Sequence, residues 1–155
     1  MEIERKFLVD AMPDGLDGRS STIEQGYLAI DADGTEVRIR RRGGTSTLTV
    51  KSGGGLARAE EELDIDDAAF ERLWPLTAGR RIEKVRHVIP TDVPGVGIEL
   101  DEYGGDLAGL LVAEVEFPGE DVAGAFTPPD WFGADVTDDR RFKNQRLAVD
   151  GRPAV

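Results

Sequence analysis

Apolar and polar residues alternate with a period of two along most of this chain, and wherever the alternation persists it predicts a strand. The opening run Met1 to Val9 is the most regular. Glu2, Glu4, Lys6 and Leu8 fall on one face, and Ile3, Phe7 and Val9, with Arg5 among them, on the other. Thr22 to Ile30, Glu36 to Arg42, Ser46 to Lys51, Ala57 to Ile65, Arg80 to Ile89, Val96 to Tyr103 and Leu110 to Phe117 repeat the pattern. Asp31-Ala32-Asp33-Gly34 and Gly43-Gly44 read as hairpin turns, Asp10 to Ser20 as a loop, and Ser52-Gly53-Gly54-Gly55 as a flexible hairpin tip. The period changes after Asp66, a fair N-cap, where Ala69, Phe70, Leu73, Trp74 and Leu76 form a helical stripe that Pro75 and Gly79 close. Trp74 belongs to that packing stripe. From Glu120 onward the chain is expected to be helical or irregular.

Eight strands in hairpin order, with one helix between the fifth and sixth, predict a mainly β (α+β) fold. The economical arrangement is an eight-stranded antiparallel closed β-barrel, a tunnel with a few covering helices, because closure removes sheet edges. The 155 residues make one domain, 1–155, long enough for a core of its own.

Nearly every strand has one charged face, and alternation alone leaves open whether that face points inward. Two features favour charges inside. Both signs recur in runs on nearly every strand, and the apolar residues of the helix and of the tail (Phe126, Trp131, Phe132, Phe142, Leu147) need an apolar sheet surface to cover. Enclosed charges are costly unless wet, paired or bound to ions, so the interior is expected to be a solvated tunnel that takes a polyanion.

Composition narrows the chemistry. The absence of cysteine excludes disulfides, thiolate metal sites and a cysteine nucleophile, and the single histidine, His87, excludes a multi-imidazole zinc site. His87 falls on the strand face opposite Lys84 and Arg86, where a surface role suits it. Any metal must bind through oxygen, which favours magnesium, manganese or calcium. A net charge of −12 opposes association with nucleic acid or an anionic membrane. No long apolar run and no signal-like start are present, so a soluble cytoplasmic protein is expected. No G-x-x-x-x-G-K-[ST] loop occurs, so a P-loop nucleotide fold is not supported.

Arginines offer forked donors to phosphate oxygens, lysines act as point charges, and carboxylates approach such an anion only through a cation. The motifs arrange these groups in order: Glu2-x-Glu4-x-Lys6, Gln25-Gly26-Tyr27, Val37-Arg38-Ile39-Arg40, Thr49-Val50-Lys51, Arg58-x-Glu60-x-Glu62, Lys84-x-Arg86, Glu99-x-Asp101 and Glu114-x-Glu116. Together with Val136-Thr137-Asp138 and Phe142-x-Asn144-x-x-Leu147, they resemble the CYTH superfamily, the triphosphate tunnel metalloenzymes, over nearly the whole chain.

The resemblance implies a tunnel that binds a small-molecule triphosphate together with one or two Mg²⁺ or Mn²⁺ ions. Its metal side would be Glu2, Glu4, Glu60, Glu62, Asp101, Glu114 and Glu116, with Glu99 less firmly placed. Its phosphate side would be Lys6, Arg38, Arg40, Lys51, Lys84 and Arg86, with Tyr27 either touching the terminal phosphate or packing in the core. Glu2, Glu4, Lys6 and Arg40 are the residues it places nearest the chemistry. Arg58 is a candidate ion-pair partner of Glu60, and Lys143 is either a solvated helical lysine or a guard at a tunnel mouth. A homodimer is common in such a family.

The implied activity is metal-dependent hydrolysis of inorganic triphosphate to pyrophosphate and phosphate. Alternatives inside the family are a class IV-type adenylate cyclase and a thiamine or nucleoside triphosphatase. Outside it stand a noncatalytic polyphosphate or nucleotide binding module, and an ordinary acidic barrel whose charges face solvent.

Overall fold

The alternating segments become strands of a single antiparallel sheet in the computed structural model, which describes residues 3–16, 18–53 and 59–154. The strands are β1 (Ile3–Val9), β2 (Arg19–Ile30), β3 (Glu36–Arg42), β4 (Thr45–Lys51), β5 (Glu60–Ile65), β6 (Arg81–Pro90), β7 (Gly97–Tyr103), β8 (Leu111–Phe117) and β9 (Phe132–Asp135). The eight expected strands are all found, with ends shifted by a few residues; β2 already starts at Arg19. Their order in the sheet is β5-β4-β3-β2-β6-β7-β8-β1-β9. Glu2 and Arg58 lie outside the described residues, as do Ala57 and the Gly54-Gly55 part of the expected hairpin tip.

Two expectations are corrected. The stretch after Glu120 is not only helical or irregular, because Phe132–Asp135 forms a ninth strand on the edge of β1, with Phe7 opposite Asp135 and Val9 opposite Phe132. Aromatic packing holds it there: the Phe7 and Phe132 rings are 4.8 Å apart. The sheet is also not closed by hydrogen bonds, since the ladder runs from β5 to β9 and no pairing joins these two strands among the described residues. Both edges are blunted instead. β5 bears the exposed charges Glu60, Glu61, Glu62 and Asp64, and β9 is only four residues long.

Helix α1 (Asp67–Leu73) starts where the period changes, with the Asp66 carboxylate accepting from the Ala69 N–H at 2.7 Å. It continues into a 3₁₀ turn, Trp74–Thr77, that carries Pro75 at its start. Trp74 stacks on the buried Phe70 at 5.2 Å, so it packs as expected. Thr77 presses so closely on β2 that a side chain at Gly26 would meet it at 2.5 Å. Helices α2 (Glu120–Ala125) and α3 (Asn144–Asp150) follow β8 and β9, and no described helix is long and apolar enough to cross a membrane.

Two apolar clusters lie on opposite faces of the sheet. One collects Phe7, Val9, Ile98, Leu100, Ala113, Val115 and Phe117, covered by Ala123 of α2 and by Phe126, Trp131 and Phe132. This is the apolar back that Phe126, Trp131 and Phe132 were expected to need; Phe142 and Leu147, expected on the same back, pack instead in the cluster on the opposite, charged face. Arg5, the misfit of that face, donates to the Ala123 carbonyl at 3.0 Å at the end of α2 and pairs with Asp135 at 3.2 Å. The second cluster, Tyr27, Ile82, Tyr103, Leu110, Val112, Phe142 and Leu147, fills one end of the charged face, where the segment around α3 is seated.

Candidate active site

Strand parity and antiparallel register together decide which charges meet. Lys84, Arg86 and Asp101 are almost fully buried, and Arg86 stands opposite Asp101 across β6 and β7. Arg86 donates to Asp101 through Nε to Oδ1 at 2.8 Å and Nη2 to Oδ2 at 2.9 Å, and Lys84 Nζ donates to the same Oδ2 at 2.8 Å. Arg86 also reaches Glu99 at 3.0 Å through Nη1. Burial would raise the Asp101 pKa, but the Lys84 charge and the Arg86 hydrogen bonds outweigh it and hold the carboxyl below its usual range. Burial works against the Arg86 charge too, and Asp101 and Glu99 override it, so the guanidinium stays firmly protonated. At Lys84 burial wins, and in spite of Asp101 it brings the ammonium down to about 8.

A second row of cations runs along β3. Arg40 Nε donates to Gln25 Oε1 at 2.7 Å, and Gln25 Nε2 donates to the Tyr27 hydroxyl at 2.7 Å, so a buried amide orients the guanidinium. Burial, then Arg38 and Arg86, lower the Arg40 pKa to about 10, while burial and the Glu36 charge push Tyr27 up to about 12. Arg42 donates to the Ser21 hydroxyl at 3.1 Å. A cavity of about 700 Å³ is bordered by Arg19, Arg40, Arg42, Thr45, Thr47 and Glu62. The row ends at the buried Glu36, which lies 3.8 Å from Arg38 and accepts from Gln145 of α3 at 3.2 Å.

The carboxylates gather on the other side of Asp101. Register places Glu4 opposite Glu116, and Glu114 between Lys6 and Glu99 on its two neighbouring strands. Lys6 Nζ lies 3.3 Å from Glu114 and donates to the Phe142 carbonyl at 3.2 Å. This donor set is all oxygen, so a hard divalent ion fits its chemistry. Among the described residues no three acidic or histidine side chains converge at metal-binding spacing.

The structure thus brings Lys6, Glu114, Glu4 and Glu116 into one patch and Lys84, Arg86 and Asp101 into one cluster. Arg38 and Arg40 stand with Tyr27, and Glu62 joins the arginine cavity. Glu60 is exposed opposite Lys51 at the far edge of the ladder, and Glu2 is not among the described residues. Asp101 has both oxygens committed to cations, so here it organises the basic cluster. His87 lies away from the site, 3.5 Å from Glu102. Sequence reasoning missed Glu36 and Gln145. Glu36 shares the parity of Arg38, Arg40 and Arg42 and could have been found by it, whereas Gln145 reaches the site only through the docking of α3.

An apolar-backed antiparallel sheet whose front sets a cluster of buried cations beside opposed carboxylates defines a mainly β protein with a face for a phosphate-bearing anion. No protein-family model matches the chain. It is 49% identical over 150 residues to an inorganic triphosphatase of Nitrosomonas europaea, covering 96% of this chain and 97% of that protein. It is 36% identical over 148 residues to an inorganic triphosphatase of Acetivibrio thermocellus, covering 94% and 92%. A crystal structure of an inorganic triphosphatase superposes with a TM-score of 0.80 at 46% identity, covering 96% of this chain and 95% of that one. A Hippeastrum protein of adenylyl cyclase type shares the fold at a TM-score of 0.58 and 18% identity, over 80% of this chain and 83% of its own. The chain belongs to the family of inorganic triphosphatases.

Proposed function

We propose that this protein hydrolyses inorganic triphosphate to pyrophosphate and phosphate with the help of Mg²⁺ or Mn²⁺. The observation that carries the reading is the arrangement of charge on one sheet face, with Arg38, Arg40, Lys84 and Arg86 on one side, Glu4, Glu114 and Glu116 on the other, and Glu99 at the boundary against Arg86. A mere anion binder gains nothing from the second group. Glu4, Glu114 and Glu116 would hold the ion, with Glu60, Glu62 and Glu2 as further donors if the face wraps around its substrate. A bound ion would neutralise charge on the phosphate oxygens and lower the pKa of water at the site.

The chain's own groups do the rest. Arg40, aimed by Gln25, and Arg38 beside it grip phosphate oxygens with their remaining N–H donors, and Lys6 and Lys51 add point charges. Water attacks the terminal phosphorus in line, the bond to the departing pyrophosphate oxygen breaks, and a carboxylate of the Glu4, Glu114 and Glu116 patch takes the proton. The fixed cations stabilise the charge that builds on the leaving oxygen.

The experiment is phosphate release from tripolyphosphate, ATP and thiamine triphosphate side by side, with Mg²⁺, with Mn²⁺ and with chelator. Fast release from tripolyphosphate that the chelator abolishes is expected. Preference for an organic triphosphate, or conversion of ATP to cyclic AMP, would overturn the choice of substrate.

A further inference from the structure

A separate cavity of about 930 Å³ lies between the β2–β3 turn and α3, and four cations border it: Arg80, Arg140, Lys143 and Arg146. In a chain of net charge −12 such a concentration is local and needs an account. Arg80 is fixed in place, with Nε on the Tyr27 carbonyl and Nη2 on the Leu76 carbonyl, both at 2.9 Å. Among the described residues the Arg146 side chain pairs with Asp150 alone, at 3.5 Å. The side chains of Arg140 and Lys143 enter no ion pair or hydrogen bond among the described residues. On the facing wall stand Asp31 and Asp33, and Asp33 is committed to its own turn, accepting from the Thr35 N–H at 3.0 Å.

The place of this cavity relative to the candidate active site is specific. Arg140 and Lys143 also border a smaller cavity of about 230 Å³ that contains Glu4 and Lys6. Gln145 borders the larger cavity and also donates to Glu36 at the end of the arginine row. Four cations around one space exceed what a monovalent ion requires and match the several oxygens of a short phosphate chain.

We infer that this cavity is a second anion site, for a diphosphate-class ligand, beside the triphosphate groove. Only the choice of ligand rests on the proposed reaction, whose product is pyrophosphate; the geometry does not. The test is calorimetric titration of pyrophosphate into the wild-type protein, the Arg146→Glu variant and the Arg40→Ala variant, with chelator present and melting curves to check each fold. Arg146 is chosen because it borders the larger cavity and not the one with Glu4 and Lys6. One binding event is expected to weaken about tenfold or more in Arg146→Glu and to persist in Arg40→Ala. Arg146→Gln serves as a second probe of the same site if Arg146→Glu does not fold. Pyrophosphate binding that ignores these substitutions, or that vanishes entirely in Arg40→Ala, would overturn the inference. Absence of tripolyphosphate hydrolysis with this binding intact would sink the proposed reaction and leave the second site standing.

Discussion

Arg86 and Asp101 meet edge to edge across β6 and β7 through two hydrogen bonds of 2.8 and 2.9 Å, both side chains buried. Lys84 shares the same carboxylate, so removing Asp101 would strand the buried Lys84 and leave Arg86 with Glu99 alone. Asp101→Ala is therefore expected to cost about 3–5 kcal/mol, the range for breaking a buried pair from one side. Urea unfolding measures this, and a loss under about 1 kcal/mol would mean that the cluster is wet and compensated by water.

Lys84 should give the protein opposite pH responses in stability and in binding. Its pKa falls to about 8 in the fold, so the folded state holds this proton less tightly than the unfolded chain does. The resulting penalty is complete below pH 8 and fades as pH rises toward the ordinary lysine range. Phosphate affinity, which needs the ammonium, should fall over the same interval. Melting temperature and the KM for tripolyphosphate measured from pH 7 to 10 check both, and Lys84→Arg should abolish the KM limb because a guanidinium stays charged.

Gln25 is fully buried and its one side chain joins Arg40 to Tyr27. Gln25→Leu is expected to raise KM about tenfold, close to what Arg40→Ala does, because the guanidinium loses its aim. The double variant should cost little more than either alone. Strict additivity in steady-state kinetics would show that the amide does not act through Arg40.

The opposed pair Glu4 and Glu116 should matter for turnover and not for folding. Glu4→Gln and Glu116→Gln are each expected to lower the rate by about 100-fold or more and to shift the Mg²⁺ activation curve upward, with the fold retained. An unchanged activation curve in both variants would remove these residues from the metal site.

Much of this was legible in the sequence for a simple reason: strand parity is arithmetic. Knowing that Glu114 and Glu116 share a face opposite Ala113 and Val115 requires no partner strand; the tail was less legible, because Phe126, Trp131 and Phe132 cover the apolar back whereas Phe142 and Leu147 seat on the charged face. Register is different. That Arg86 stands opposite Asp101, and not Glu99, depends on where each hairpin turns, and so the commitment of Asp101 to cations could not be read in advance. The ninth strand was hidden for a related reason, since Phe132–Asp135 is too short to show a period and is held by aromatic contacts with β1. Gln145 lies in a helix whose docking depends on both.

The position of β1 between β8 and β9 has a consequence for the order of assembly. As the chain leaves the ribosome, the strand bearing Glu4 and Lys6 is made early, while the groups that pair with it come last; Arg5 and Asp135 are 130 positions apart. The hairpins β2–β3 and β3–β4 can form from neighbouring residues within microseconds, but β1 must wait with its apolar side uncovered. The carboxylate patch is therefore completed only in the final pairing step. Until then β1 stands with one apolar side uncovered, exposed to premature association.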